Sequence, residues 1–569
     1  MKSEIIGILE STTKKLFSIE IEAFEVSRTK LKTHGNWSSN IALVLGKELE
    51  EQPRVIAEKI IKKLPGKKWL KRVEVAGPGF INFFLAEEAQ ASILDNALNE
   101  NFFFCKTDSP KKYLIEYVSS NPTGPIHVGH GRGAAFGSAL ANLLRHSGNE
   151  VEEEYYVNDR GLQTDILALS VFLRYQELFD HQIKFPEDCY QGEYIIHSAQ
   201  SVKKTFGDKY VVKGNSSILS SDVIPELLKQ IKEEFSDFNE LTVFILSLQI
   251  DDIKRVLSKF RVFHKNWISE KKLYDKSEGK SMFDEVIYTL EKNNSTYVSD
   301  DALWFKSKER GDEKDRVLIR DNNDPTYFAS DVAYHKFKFD RKFDRLVNIW
   351  GADHHGYIPR IKGALDALGL KGDLLKTVII QFVSLNRSGK TVSMSTRKGD
   401  FVSLNELIDE VGIDASRFFF LARKSDQALE FDVELALKKD KNNPVYYIQY
   451  AHARICSLLK EVEKRDFVID SENGLKNLNL ITGEQELSLI AEIELFQDTL
   501  EQCQIDLEIH PLCFYLRDLA SKFHSYYNAN KFIEEEKNLR DAKFAIVLSI
   551  KRIITEGLNI LAINAPEQM

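Results

Sequence analysis

Ser119-Ser120-Asn121-Pro122-Thr123-Gly124-Pro125-Ile126-His127-Val128-Gly129-His130-Gly131-Arg132-Gly133 is the stretch on which the reading of this chain turns. Before it, Tyr113-Leu114-Ile115-Glu116-Tyr117-Val118 is β-branched and aromatic, as a buried strand is; after it, apolar residues from Ala134 to Leu144 recur at helical spacing. The unit is strand, loop, helix. Two prolines keep the loop out of helix until about His127, and the small residues leave room for a bulky ligand at the helix start. A helix N-terminus offers unpaired N–H groups and partial positive charge, which suits phosphate. His127 and His130, three apart, share one face of the first turn, where two imidazoles would stabilise a phosphoryl group gaining charge.

Two plainer readings compete. Gly129-His130-Gly131-Arg132-Gly133-Ala134 fits the dinucleotide fingerprint, with Glu152 to Glu154 as the ribose acid, but that fingerprint begins at the strand end and here a proline-interrupted loop intervenes. A zinc pair needs a third placed ligand, which His-x-x-His does not supply.

Bulk properties narrow the class. A chain of 569 residues has room for three or four domains, and 43% hydrophobic with 29% charged residues is ordinary for a soluble protein. No apolar run approaches a membrane span and no signal peptide is apparent. Five cysteines without a CxxC pair favour reduced thiols, hence a cytoplasmic location. A net charge of −9 means that any nucleic-acid binding is patchwise.

Along the chain, the segment from Val55 to Lys63 reads as helix, and Val73-Glu74-Val75 with Phe80 to Leu85 around Gly77-Pro78-Gly79 reads as a hairpin. Basic stretches near Trp37 and Trp69 are solvated loops by composition, or phosphate contacts with a stacking residue. Val151 to Val157 is a second strand, whose exit Asn158-Asp159-Arg160-Gly161 faces the ligand crevice of a parallel sheet. Residues from about 162 to 268 are mostly helical and charged, an insertion between the halves of a nucleotide fold. Tyr327 and Asp331 share a face if helical. Leu346 to Trp350 is a buried strand ending in Gly351-Ala352-Asp353-His354-His355, a ligand-facing or capping tip rather than a metal pair. Beyond Asp414 the chain is helix after helix, and Tyr446, Tyr450 and Arg454 recur every four residues, a stripe for core packing or for base stacking.

His127-Val128-Gly129-His130 behind Asn121-Pro122-Thr123-Gly124-Pro125 resembles the His-x-Gly-His signature of class I aminoacyl-tRNA synthetases, in the form of the bacterial arginyl-tRNA synthetases, and the resemblance extends over essentially the whole chain. It implies an α/β architecture: a Rossmann-like parallel-sheet catalytic domain over residues 109–440 with the helical insertion, a small α+β N-terminal domain (1–108) that contacts tRNA, and an all-α anticodon-binding domain (441–569). It implies that arginine is activated with ATP, Mg²⁺ accompanying the nucleotide, and transferred to the 2′-hydroxyl of the tRNA's terminal adenosine. ATP then falls to Asn121, Pro122, Thr123, Gly124, Pro125, His127, Gly129 and His130, with Gly129 leaving space for adenine. Ser393-Met394-Ser395-Thr396-Arg397-Lys398 resembles the mobile loop usually written Lys-Met-Ser-Lys-Ser, so Met394, Ser395 and Arg397 join the nucleotide site and Ser395 and Lys398 the catalytic set. Neither lysine of the class motif is present, so Lys398 or Arg397, or Lys111 and Lys112 ahead of the first strand, would supply the cation. Arginine falls to Glu116, Asn121, Tyr327, Asp331 and Asp353, and tRNA to Trp37, Tyr446, Tyr450 and Arg454. No tightly held metal is expected, the partners are arginine, ATP and the tRNA for arginine, and a monomer without membrane attachment is expected. The rivals are a nucleotidylyltransferase sharing the histidine device, a nicotinamide oxidoreductase and a binding-only paralogue; the intact His127, His130 and Asp331 argue against the last.

Overall fold

The computed structural model describes the chain apart from residues 1, 20, 22, 30, 31, 100–108, 214–222, 278 and 393–401. At its centre lies the strand Lys112–Glu116, whose Leu114 and Ile115 point to opposite faces and are both buried, as a strand covered on both sides requires. Glu150–Val157 and then Asn266–Ser269 add to one side of it, Arg345–Gly351 and then Leu375–Ile380 to the other, all in parallel. Numbered along the chain, the strands lie in the order 5-4-1-2-3. This is the doubly wound nucleotide-binding arrangement, with its crevice where the order reverses, between the first and fourth strands.

Each face of the sheet has its own core. Ile115, Val347 and Val378 pack with Phe136, Leu140 and Leu143 of the helix Val128–His146 in a core that continues into the C-terminal helices; Leu114, Leu346 and Leu375 pack with Val332, Ala333 and Ile361 on the other side. The helix Val128–His146 approaches the sheet closely at Gly137, where a methyl group would fall inside the ring of buried Tyr117. Gly137→Ala is therefore expected to destabilise the fold by about 1–3 kcal/mol, the usual cost of overpacking. Thermal unfolding measures it, and an unchanged midpoint would contradict this contact.

The helical stretch after residue 162 comprises Leu162–Glu177, Glu193–Phe206, Ile224–Glu234 and Phe238–Lys259, with a small core of its own around Phe172, Tyr210 and Leu241. It does not separate the halves of the fold: Asn266–Ser269 follows it as the third strand, so the insertion lies inside the first half, as an enlarged crossover between parallel strands. Between the third and fourth strands comes a three-stranded antiparallel sheet, Thr296–Ser299, Ala302–Phe305 and Arg316–Ile319. A further sheet joins Val383–Arg387 to Lys390–Val392 and Leu429–Asp432.

The N-terminal part is a four-stranded antiparallel sheet with the helices Lys2–Phe17, Ile41–Glu48 and Pro53–Lys63; its hairpin is Leu70–Ala76 with Phe80–Leu85. The C-terminal part is built on Pro444–Lys464, Glu484–Asp506, His510–Ala529 and Lys537–Ile560. Buried Arg417 ties it to the part around the parallel sheet, donating to the carbonyls of Leu561 and Phe260 and to Ser138 Oγ. Among the described residues, no helix is long and apolar enough to cross a membrane.

Candidate active site

Behind Glu116 the backbone turns sharply, with Val118 and Ser119 at φ of +69° and +38°. A β-branched residue in the left-handed region is strained, and the strain here has a use. The turn carries Ser119 Oγ back to Glu116 Oε1, 2.9 Å away, where it also accepts from the Tyr156 N–H. The loop then crosses the sheet end. Asn158 Nδ2 donates to Asn121 Oδ1 at 3.1 Å, so the exits of the first two strands are joined, and Tyr194 of the insertion donates to the Thr123 carbonyl.

His127 is the N-cap of the helix Val128–His146, and its ring stacks on His130 with centroids 3.7 Å apart. The two imidazoles therefore lie at one place. Burial lowers the pKa of both, and the neighbouring His127 adds to the effect on His130, down to about 3, so both rings are neutral hydrogen-bonding groups at pH 7. His130 Nδ1 is buried with no partner. The space over Gly129, expected to receive adenine, is filled by the His127 ring, 2.9 Å from where a Cβ would stand. The room at Gly124 is likewise taken by Tyr194, and at Gly131 by Leu404 and Phe420. These glycines serve side-chain packing.

Buried Arg132 donates to the carbonyls of Gln381, Arg423, Lys424 and Gln427, fastening the histidine helix to the end of the fifth strand. Met394, Ser395, Arg397 and Lys398 lie outside the described residues, but the segment just after them does not. Ser403 bridges His127, with Val128 N–H donating to the Val402 carbonyl and Leu404 N–H to that of Ile126. One end of the second motif is thus fixed beside the first. Lys111 and Lys112 are excluded as cations for this site: they lie at the opposite end of the first strand, and Lys112 Nζ is 3.3 Å from Glu150. The dinucleotide reading fails too, because Glu152, Glu153 and Glu154 lie within the second strand and are engaged by Asn266, Tyr117 and Tyr334.

Across the crevice, Thr326 caps the helix Tyr327–Asp340 by accepting from Ala329 N–H, and Tyr327 and Asp331 share its first turns. The Tyr327 hydroxyl approaches Gly161 at the exit of the second strand. Asp331 faces Tyr156, Glu270 and Tyr357, whose half-buried phenol bonds it. Tyr156 Oη and Glu270 Oε2 are buried without a partner. Two carboxylates and several phenols, with Arg160 close enough to act on Glu270, make this end of the crevice an acceptor-rich lining that suits a planar cation with several donors. Glu270 was not foreseen; it follows the strand Asn266–Ser269, and a carboxylate just past a parallel strand's carboxyl end was the available signal. Asp353 sits on the 3-10 turn Ala352–Tyr357, exposed at the rim beside His354.

The model of the class I (R) tRNA synthetase catalytic domain matches residues 93–439, that of the arginyl-tRNA synthetase N-terminal domain residues 3–85, and that of the DALR anticodon binding domain residues 448–569. This chain belongs to the arginyl-tRNA synthetase family. Its relatives include the arginine–tRNA ligase of Thioalkalivibrio sulfidiphilus, 43% identical over 96% of this chain and 95% of the relative, and that of Legionella pneumophila strain Corby, 42% identical over 100% and 99%. The solved Thermus thermophilus arginyl-tRNA synthetase, 20% identical, shares the fold with a TM-score of 0.78 over 100% of both chains.

Of the residues expected to meet tRNA, Trp37 does not fit. It is 1% exposed, donates from Nε1 to Glu494 at 3.3 Å and lies under Arg28, itself paired with Glu494. The apolar ring is worth more buried between the N-terminal sheet and the helix Glu484–Asp506 than exposed. Tyr446, Tyr450 and Arg454 are partly exposed. Tyr446 stacks on Tyr450 at 6.3 Å, and Arg454 lies over Tyr450 and Tyr527, each at 4.6 Å.

Proposed function

We propose that this chain activates L-arginine with ATP and transfers it to the terminal adenosine of its tRNA. The observation that supports this reading is the partly buried group of Asp331, Glu270, Tyr156 and Tyr357, with Tyr156 Oη and Glu270 Oε2 unpartnered, across the crevice from the His127–His130 stack. A guanidinium presents five donors in a plane, and acceptors arranged around it reject lysine, which carries the same charge as a point. An oxygen of the arginine carboxylate attacks the α-phosphorus and the bond to the bridging oxygen breaks, releasing pyrophosphate. Asn121 and the helix mouth position the nucleotide, the two neutral imidazoles donate to the phosphate oxygens as charge develops, and Mg²⁺ comes with the nucleotide. The tRNA hydroxyl then attacks the arginyl carbonyl carbon, loses its proton and displaces AMP.

Glu116 supports the amino-acid end from below, since both of its oxygens are engaged by Ser119 and Lys338. The N-terminal domain and the partly exposed strip Tyr446, Tyr450 and Arg454 meet the tRNA. ATP–pyrophosphate exchange with arginine, run with and without tRNA, tests the activity; no arginine-dependent exchange in the presence of tRNA would refute it and favour a nucleotidylyltransferase.

Burial holds the Glu270 carboxyl above the usual carboxylate range, against the opposing Ser330 and Arg160. A bound guanidinium would favour the ionised form, so at a pH below the raised pKa arginine binding should release a proton. Affinity should rise with pH through the raised pKa and level off above it. Glu270→Gln should flatten this curve and weaken binding about tenfold, the scale of one charge-assisted hydrogen bond. Calorimetry across pH measures both, and a pH-independent affinity in the unaltered protein would remove Glu270 from the site.

A further inference from the structure

Under the crevice runs a row of polar side chains with almost no access to water. Lys338 and His335 of the helix Tyr327–Asp340 and Asn348 of the fourth strand are 0%, 0% and 1% exposed. The Lys338 ammonium is bonded to the Glu116 carboxylate and lies 2.9 Å from Asn348 Oδ1. Asn348 Nδ2 lies 2.7 Å from His335 Nε2. His335 Nδ1 lies 2.8 Å from the Asp331 carbonyl and 3.1 Å from Asp331 Oδ1. The row therefore joins Glu116, at the amino-acid end of the crevice, to Asp331, at the guanidinium end.

Its polarity follows from one group. An ammonium has three donors and no acceptor, so the Asn348 atom facing Lys338 is the carbonyl oxygen and the one facing His335 is the NH₂. Nε2 must then accept, which leaves the imidazole proton on Nδ1, where the Asp331 carbonyl accepts it at 2.8 Å with the carboxylate Oδ1 alongside at 3.1 Å. Reversing any link would set two donors or two acceptors against each other out of reach of water, which is expensive. Residues 331, 335 and 338 lie at i, i+4 and i+7 on one helix face, so the rigid helix carries the alignment.

We infer that His335, backed by Asn348 and Lys338, is a positioning residue for specificity: it fixes the Asp331 carboxylate at a set distance from Glu116 and so selects the length of the guanidino amino acid. This rests on the reading of the crevice as an arginine site. The experiment is tRNA-supported ATP–pyrophosphate exchange with arginine and with homoarginine, alongside thermal unfolding. Asn at position 335 can place a donor where Nδ1 stands, whereas Gln reaches the place of Nε2 and abandons Asp331. His335→Gln should raise the KM for arginine about tenfold, as for one lost hydrogen bond to a charged group, and lower the preference over homoarginine with it, leaving the KM for ATP unchanged. His335→Asn should stay near the unaltered protein in both. Asn348→Asp, of the same shape, presents an acceptor to Nε2, competes with Asp331 for the imidazole's proton and should act in the direction of His335→Gln; it serves if His335→Gln does not fold. Folded His335→Gln or Asn348→Asp with unaltered KM and preference would overturn the inference, as would His335→Asn impaired as much as His335→Gln. Absence of arginine-dependent exchange in the unaltered protein would instead overturn the functional reading, before any variant is compared.

Discussion

Asp331→Ala should raise the KM for arginine by about 100- to 1000-fold while changing kcat far less, because the lost pairing with a desolvated guanidinium is worth roughly 3–4 kcal/mol. The carboxylate is three-quarters buried, with a side-chain exposure of 25%, and is braced by His335 and Tyr357, so its deletion leaves the other acceptors without the charge they surround. Discrimination against lysine should fall with it, since both amino acids are then met only by phenols and Glu270. Steady-state exchange kinetics with both amino acids measure the effect. A parental KM would mean that the guanidinium lies elsewhere and that the acidic group is structural.

His130→Ala should lower kcat of the exchange reaction by about 100- to 1000-fold with little change in the KM for arginine, the usual effect of losing a donor aimed at developing charge. Removing this ring also unstacks His127, so His127→Ala and the double variant should fall by amounts that do not add. Single-turnover formation of the adenylate isolates the chemical step. Additive losses would show that the two rings act at separate places.

Much of the site was legible in the residues because its chemistry is local. The sequence around His127 placed a strand, a proline-delayed loop and a helix start in a row, and the helix begins at Val128 as that pattern required. Tyr327 and Asp331 needed only helical spacing to be brought together. The errors were all tertiary. Trp37 has the surroundings of a stacking residue, yet a helix more than 440 residues away covers it. Gly124 and Gly129 were assigned to the nucleotide site, whereas the side chains of Tyr194 and His127 stand in the space beside them. Lys111 and Lys112 are close in sequence to the site but stand at the wrong end of a strand, and Glu270 is remote in sequence but reaches the right end of one.

The order of amino acids alone determined the first two strands, the strand Leu346 to Trp350, where the helix after His127 begins and which residue types could meet a nucleotide and a guanidinium, because periodicity, proline and capping act over a few residues; the strand Asn266–Ser269 was hidden inside the helical stretch. Only the packed structure decided that the insertion is a crossover within one half of the sheet, that Trp37 is interior, and that Glu116 and Asp331 are joined through Lys338, Asn348 and His335. Those facts depend on which surfaces exclude water and on the direction each buried donor must take. Both are set by contacts between parts of the chain that no local pattern relates.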